Sequence, residues 1–372
     1  MSRARILACL SALMLLAGCG GRGSDSGESP EPVSPVYTDW SKLTPYKPSA
    51  PNPLYSRFEP YQGDTLTPRS DYGVLLPYQG ATLSVSNYIL DSLPLFGLVT
   101  TDGRVVTEPV YANVYSFSGR RFTPSAPASF LIMSKSDSNA GTGNGKDSMA
   151  GEFTLVVAAP DGRWVRDFGI AGIQYLDSSC LAVIQPDNTV TVLSADGETA
   201  AYFSGDAITP YMRGLETPYF GYEGGLQLSS RGDILFAEGY DPALNGSRIF
   251  CYLNLADGTV SADRPEGFSE ELPYVPLNEE NEENDGYSSV RDAMTGELYY
   301  FIHDDSDSAA PNMHILDKEK QTLLSVRNDD SMFYQPSIWN GLCAAVQDDT
   351  FCYYDLGSGK CVFRYPLRSN LG

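Results

Sequence analysis

Cysteines are the residues of this sequence whose spacing most directly suggests chemistry. The last three, Cys343, Cys352 and Cys361, are nine residues apart. Two hairpins with two-residue tips would place all three opposite one another on adjacent strands, in one row on one face. We predict that Cys352 and Cys361 can form a disulfide; the alternative is that all three are buried free thiols that pack as small hydrophobic side chains. With Cys180 and Cys251 the count is odd, so at least one thiol stays unpaired.

Other patterns that would indicate catalysis are scarce. The two histidines, His303 and His314, lack zinc-ligand spacing, and no Gly-x-Ser-x-Gly elbow is present. The stretch GTGNGK at 141–146 lacks the spacing of a phosphate-binding loop. We therefore predict no catalytic residue and no cofactor. Paired carboxylates can hydrolyse glycosides without other side chains, so a carboxylate-based hydrolase or lyase of extracellular polysaccharide is the alternative function.

The chain is strongly acidic, with 47 Asp and Glu against 25 Lys and Arg and a net charge of −22 over 372 residues. Such a surface repels phosphate backbones, so nucleic-acid binding is excluded. Acidic residues concentrate between residues 270 and 307. There Asp304, Asp305 and Asp307 offer the hard oxygens that Ca²⁺ prefers, although without EF-hand spacing. They are the candidate metal ligands; otherwise this acidity keeps the protein soluble.

The N-terminus indicates export and anchoring. Arg3 and Arg5 precede the apolar run ILACLSALMLLAG at 6–18, which is too short to span a bilayer and reads as an export signal. Its end, LAGC at 16–19, resembles the lipobox of bacterial lipoproteins. That resemblance implies a diacylglycerol thioether on Cys19 and cleavage before it. Two or more acyl chains anchor a protein stably to a membrane. The alternative is an ordinary secretion signal in which Cys19 occurs by chance.

Composition divides the chain into three parts. Residues 1–18 are the predicted signal peptide. Residues 19–69 change from Gly/Ser-rich to Pro-rich, which is typical of a flexible tether that lifts a folded domain off a membrane. Residues 70–372 form the predicted domain, with 42% hydrophobic and 12% aromatic residues in the whole chain to supply its core.

The predicted domain reads as all-β. Runs of β-branched and aromatic residues flank Gly-containing tips, as in TLVVAAPDGRWVRDF at 154–168. Such tips recur near residues 102, 161, 196, 257, 318 and 357, and RDAMTGELYYF at 291–301 is a weaker hairpin that would fill one longer interval. The spacing predicts a β-propeller-like domain of six to eight blades, with seven favoured. The alternative is a pair of β-sandwich domains.

Two family resemblances support β-repeats. FGLVTTDGRVVTEPVYANVYSFSG at 96–119 resembles a WG repeat of bacterial surface and secreted proteins, with Phe96-Gly97, Gly103, Pro109 and Tyr111 in the expected order. GGLQLSSRGDILFAEGYD at 224–241 is a looser copy. GLCAAVQDDTFCYYDLGSGKCVFRY at 341–365 is similar to a blade of quinoprotein-like propellers. These resemblances imply a fold, and they assign no activity or site residue.

Together these observations predict a monomeric lipoprotein on the extracytoplasmic side of the cell membrane. Its expected role is that of a non-enzymatic module that binds a protein or glycan partner. An accessory subunit of an envelope assembly is a further alternative.

Overall fold

The computed structural model describes most of the chain after residue 65. The described residues are 66–84, 92–117, 127–136, 153–176, 180–185, 187–212, 228–231, 234–241, 246–266, 268, 287–304, 311–329 and 336–369. The signal peptide, Cys19 and the tether up to residue 65 lie outside them, so the predictions made for these segments remain predictions.

The described residues form 24 strands in six four-stranded sheets, together with one short helix. Each sheet except the first is built from four strands that are consecutive in the chain. The first sheet contains β1 (Leu75–Ser84), β2 (Ser92–Thr100) and β3 (Val105–Tyr111). The second contains β4 (Asn113–Phe117), β5 (Phe130–Ser136), β6 (Phe153–Ala158) and β7 (Val165–Ile170). The third contains β8 (Gly172–Tyr175), β9 (Leu181–Ile184), β10 (Val190–Leu193) and β11 (Thr199–Phe203).

The last three sheets repeat this arrangement. The fourth sheet contains β12 (Leu228–Arg231), β13 (Ile234–Asp241), β14 (Gly246–Leu253) and β15 (Val260–Ser261). The fifth contains β16 (Ser288–Arg291), β17 (Leu298–His303), β18 (Met313–Leu316) and β19 (Thr322–Val326). The sixth contains β20 (Ser337–Trp339), β21 (Leu342–Gln347), β22 (Thr350–Asp355) and β23 (Cys361–Pro366). Helix α1 (Gly205–Ile208) follows the third sheet. Among the described residues, no helix is long and apolar enough to cross a membrane.

The end of the chain completes the first sheet. Strand β24 (Arg368–Ser369) pairs in parallel with β1, with Ala81 opposite Arg368. The order in this sheet is therefore β24-β1-β2-β3, so strands from both ends of the domain share one sheet. Consecutive four-stranded antiparallel sheets whose last strand joins the first confirm the predicted all-β, propeller-like fold. The described part contains six sheets, and the blade count of the whole chain remains a prediction.

The predicted hairpin tips are the turns between the third and fourth strands of the six sheets. Each contains one residue in the left-handed backbone region, and this residue is glycine in five of the six turns. These residues are Gly103 (φ 80°), Gly162 (φ 68°), Gly197 (φ 86°), Gly258 (φ 71°), Lys320 (φ 62°) and Gly359 (φ 68°). Glycine adopts this conformation without the steric cost that a Cβ brings, which explains why the sequence repeats Asp-Gly at these tips.

The hairpin predicted at residues 291–301 lies at a different position within its sheet from the one expected. The stretch 291–301 was expected to sit between two tips as part of an additional repeat. It is instead the turn between β16 and β17, the first two strands of the fifth sheet, whose third turn contains Lys320. Propensity identifies a hairpin locally but does not say which pair of strands within a sheet it joins.

Hydrophobic clusters join neighbouring sheets. One cluster contains buried residues of the sixth, first and second sheets, and further clusters join the second to the third, the third to the fourth, and the fifth to the sixth. Strand β22 is buried on both faces, and its sequence is therefore a continuous apolar and aromatic run. Leu66, near the predicted start of the domain, is buried, with 5% of its surface exposed, and belongs to the first of these clusters.

A buried carboxylate organises the contact between the fifth and sixth sheets. Asp292 follows β16 and is 2% exposed. Its Oδ1 accepts hydrogen bonds from the N–H groups of Met294, Thr295 and Asn340 at 2.7, 2.9 and 2.9 Å, and Oδ2 accepts one from Gly341 at 2.6 Å. The carboxylate thus holds two turns that are far apart in the sequence, and four donors compensate for its burial.

The same Asp292 turn also reaches the second sheet. The N–H of Ala128, just before β5, donates to the carbonyl of Met294 at 2.8 Å, and the Ser116 hydroxyl donates to the carbonyl of Ala293. These bonds join the fifth and second sheets, which are not neighbours along the chain.

Candidate functional site

The fifth sheet has one packed face and one partly open face. Tyr299, Phe301 and Met313 point toward the sixth sheet and belong to the cluster that joins the two. Because side chains alternate along a strand, the residues between them point the other way. We name this second surface the open face. Tyr300, Ile302 and His314 lie on it, the buried Leu316 lies opposite Tyr300, and Tyr287 and Lys320 lie at its border.

Register places the members of the open face side by side. Ile302 lies opposite His314, and His314 lies opposite Ser325. The imidazole Nδ1 of His314 is 2.9 Å from the Ser325 hydroxyl. Ile302 is a large hydrophobic side chain that is 36% exposed, and Tyr202 on β11 is another, at 56%.

The fourth sheet has an aromatic cover of its own. Phe268 packs edge-on against Phe236 and Tyr252 of the fourth sheet, with ring centroids 5.3 and 5.1 Å apart. Within the described ranges, each of the other neighbouring sheet pairs shares a hydrophobic cluster, whereas none joins the fourth sheet to the fifth. Among the described residues, Tyr287 and Tyr300 belong to none of these clusters.

Lys320 connects the two tyrosines of this face. Its Nζ is 4.9 Å from the ring centre of Tyr287 and 5.2 Å from that of Tyr300, within the range of cation–π attraction. The lysine occupies the left-handed position that glycine holds in the other five third turns. Sequence reasoning missed this site. The available signal was the break in the glycine pattern, since a side chain at a strained position often has a separate role.

The chemistry of the open face suits ligands with both apolar and hydroxyl surfaces. Tyrosine rings provide flat apolar area together with a polar hydroxyl group. Lys320 adds an ammonium donor, and His314 with Ser325 adds hydroxyl and imidazole groups beside Ile302. A hydrophobic platform bordered by donors and acceptors fits the two sides of a sugar ring.

One of the three predicted calcium ligands, Asp304, lies at one end of the same sheet. Asp304 directly follows β17 and is exposed, and its N–H donates to the carbonyl of Asn312 at 2.8 Å. Asp305 and Asp307 lie outside the described residues. No group of three or more His, Cys, Asp or Glu able to hold a metal occurs in the described part of the chain. The calcium site stays a prediction.

The three spaced cysteines share one face but not one row. Cys343, Cys352 and Cys361 all belong to the cluster between the fifth and sixth sheets. However, Cys343 and Cys361 each lie opposite Tyr354, whereas Cys352 lies opposite Ala345 and Arg364. The predicted cross-strand row is therefore wrong.

Both hairpins cause this. The first has a two-residue tip, Asp348-Asp349, with φ of 47° and 57°, but it lies one residue beyond the tip that would place Cys343 opposite Cys352. The second turn runs from Asp355 to Lys360, and a bulge follows at Tyr353–Tyr354, so the register shifts.

Cys352 and Cys361 nevertheless lie on paired neighbouring strands within one cluster. They are free thiols in this structure, 2% and 0% exposed. The Cys352 thiol donates to the carbonyl of Thr350 at 3.8 Å, and the Cys361 thiol donates to the carbonyl of Phe363 at 3.4 Å. The guanidinium Nε of Arg364 donates to Cys361 Sγ at 3.3 Å. The neighbouring thiol of Cys352, with further support from Arg364, lowers the pKa of Cys361. The neighbouring thiol of Cys361 and burial raise the pKa of Cys352. The predicted disulfide stays a prediction.

Comparisons with known proteins identify propellers of low sequence similarity. No family model matches the chain, and no curated protein matches it. Among solved structures, BamB from Moraxella catarrhalis is 12% identical over 81% of this chain and 74% of its own, with a TM-score of 0.24. The β-propeller domain of the Trilobed protease from Pyrococcus furiosus is 10% identical over 76% and 81%, with a TM-score of 0.26. The Cps50 (Swd1) β-propeller domain from Myceliophteria thermophila is 9% identical over 66% and 69%, with a TM-score of 0.21. At identities this low, no residue role transfers from these proteins.

Proposed function

We propose that this protein is a lipid-anchored, extracytoplasmic binding module whose open face on the fifth sheet binds a glycan. The observation that carries the binding role is the platform of Tyr287 and Tyr300 bridged by Lys320, beside the exposed Ile302. The protein acts in this role without catalysing a reaction.

The anchoring part of the proposal rests on the N-terminal sequence. LAGC at 16–19 places small residues before a cysteine at the end of an apolar run, and a Gly/Ser/Pro-rich segment follows. Acyl chains on Cys19 would hold the protein at the membrane, and the segment up to about residue 69 would give the domain reach. The anchored domain would then bind its ligand outside the cytoplasm.

The binding part rests on the arrangement of side chains. Sugar rings have apolar faces formed by C–H groups, and these pack on aromatic rings such as Tyr300, while their hydroxyl groups need donors and acceptors. Lys320 between two rings supplies donors, and it limits the rotamer freedom of the tyrosines before a ligand arrives.

A protein partner is the second candidate ligand, and Ile302 favours it. An aliphatic side chain that is 36% exposed in the middle of a sheet face gains nothing from sugar hydroxyls but gains free energy when a protein surface covers it. Substitution of Ile302 by Ser separates the two ligands: glycan binding would persist and protein binding would weaken.

The binding test uses the full-length protein in detergent on an array of glycans and cell-wall fragments, with calcium and with chelator. We expect saturable binding to one sugar class, weakened at least tenfold by Tyr300→Ala. Tyr202→Ala is the matched control, because Tyr202 is exposed on the third sheet and lies outside the open face. Binding that is unaffected by Tyr300→Ala, or no binding in either condition, would contradict the glycan role.

The anchoring test follows an alkyne-tagged fatty acid into the protein in cells. We expect incorporation to be lost in Cys19→Ser and retained in Cys9→Ser, since Cys9 is the other cysteine near the N-terminus and lies within the apolar run. Equal incorporation in both variants would contradict the anchor at Cys19.

A further inference from the structure

We propose that Cys352 and Cys361 form a redox-active dithiol, which an external disulfide oxidises to an intramolecular disulfide. The geometry points to this pair because both thiols belong to one cluster on paired strands, and Arg364, which lies opposite Cys352, donates a hydrogen bond to Cys361 at 3.3 Å. The site is independent of the open face, which lies on the other side of the fifth sheet.

The bulge in the sixth sheet sets the positions of the two cysteines. Cys352 on β22 lies opposite Arg364 and Tyr353 lies opposite Phe363, whereas beyond the bulge Tyr354 lies opposite Cys361. Both thiols belong to the cluster shared with the fifth sheet. Because strand β23 is the outermost strand of its sheet, it has one neighbour and can open locally at lower cost than a central strand.

Arg364 distinguishes this pair from the other thiols. A cation beside a sulfur favours the thiolate, which is the form that attacks a disulfide. Among the described residues, Cys343 has no cation within hydrogen-bonding range of its sulfur, which donates to the carbonyl of Ala344 at 3.7 Å, and burial raises its pKa to about 12. Burial likewise raises the pKa of Cys251 on the fourth sheet to about 12. Those two thiols are expected to be inert.

The reaction proceeds in two exchange steps. The Cys361 thiolate attacks one sulfur of the external disulfide R–S–S–R, forming Cys361–S–S–R and releasing RS⁻. Cys352 then loses its proton, and its thiolate attacks the Cys361 sulfur and displaces the second RS⁻. Both released thiolates take up protons, one of which comes from each cysteine. The protein dithiol is oxidised by two electrons, and the external disulfide is reduced to two thiols.

The test treats the full-length, detergent-solubilised protein with oxidised glutathione, blocks remaining thiols by alkylation under denaturing conditions, and maps tryptic peptides by mass spectrometry. Trypsin cuts after Arg327, Lys360 and Arg364, so a Cys361 bond links the short peptide 361–364 to peptide 328–360. The Cys343→Ser variant removes the other cysteine of the larger peptide. We expect the linked pair in Cys343→Ser and its loss in Cys352→Ser.

Arg364 is tested by the rate of disulfide formation as a function of pH. The guanidinium of Arg364, 3.3 Å from Cys361 Sγ, favours the thiolate at pH 7, and the lower nucleophilicity of that thiolate offsets part of the gain. We expect Arg364→Gln to lower the rate at pH 7 about threefold and to move the midpoint of the pH profile upward, whereas Arg364→Lys retains most of the rate. Absence of the linked peptides in oxidised Cys343→Ser, or an Arg364→Gln profile identical to that of the parent protein, would overturn the proposal.

Discussion

Replacing Gly197 by alanine tests why the sequence repeats glycine at the hairpin tips. Gly197 lies in the third turn of the third sheet with φ of 86°, and a Cβ built there would be 2.5 Å from Cδ2 of the Trp164 ring. The Trp164 indole also donates to the carbonyl of Ala195 in the same turn, at 3.3 Å. A side chain at residue 197 would therefore disturb both the backbone of one sheet and the packing of the preceding sheet on it.

The two costs can be estimated separately. A left-handed conformation costs a non-glycine residue about 1–2 kcal/mol, and the smaller entropy of the unfolded chain returns about 0.4–1 kcal/mol. Displacing a packed ring to admit a methyl group costs about 1–3 kcal/mol. We expect Gly197→Ala to lower the free energy of unfolding by about 2–4 kcal/mol.

Two other glycines provide matched controls. Gly169 has φ of 62° but no heavy atom within 4 Å of a built Cβ, so Gly169→Ala reports the backbone cost alone, about 1 kcal/mol. Gly172 has neither a left-handed φ nor a close contact, so Gly172→Ala is expected to change stability by less than about 0.5 kcal/mol.

The assay is urea unfolding of the full-length protein, followed by circular dichroism and by tryptophan fluorescence. Each kcal/mol corresponds to roughly 2–4 °C in Tm for a domain of this size, so thermal scans provide a second measure. Equal losses for Gly197→Ala and Gly169→Ala would refute the packing argument. A Trp164→Ala variant adds a further check, because the packing cost of Gly197→Ala should largely disappear in that background.

Three further predictions concern single side chains. Asp292→Asn should lower the free energy of unfolding by about 2–3 kcal/mol in urea titrations, because the new amide NH₂ would face a backbone N–H donor in a buried site. The control Asp257→Asn, in an exposed turn, should lower it by less than about 1 kcal/mol. Lys320→Gly should leave stability within about 1 kcal/mol, since relief of its left-handed φ offsets lost cation–π contacts, yet it should weaken binding at the open face in the same array assay. Tyr111→Phe should cost about 1–2 kcal/mol, because its hydroxyl accepts the N–H of Leu66 at 3.0 Å. Burial raises the pKa of Tyr111 to about 12 from an ordinary value near 10. The parent protein should therefore lose stability as the pH rises from about 10 to about 12, because the tyrosine ionises first in the unfolded chain. Measured as unfolding against pH, Tyr111→Phe should lose less stability over that range.

The sequence determined the local features of this protein. At Asp161, Asp196 and Asp257 the carboxylate Oδ1 accepts the N–H two residues later, and glycine follows each aspartate with positive φ. Both interactions lie within a few residues, so Asp-Gly between apolar runs predicts the turn and the strands on each side of it. The all-β class and the positions of the repeated tips followed from this.

Only the tertiary structure decided which residues meet across these elements. Asp292 bonds to Asn340, 48 residues later, and no short-range pattern indicates that contact. The displaced tip of the first hairpin and the bulge at Tyr353 break the predicted cysteine row, because each of them changes the register. Lys320 lies over Tyr287 and Tyr300 because a turn of one hairpin folds against the start of its own sheet. Turn conformation depends on the energies of adjacent residues, whereas these contacts depend on how sheets pack and on strand register, which many distant side chains set together.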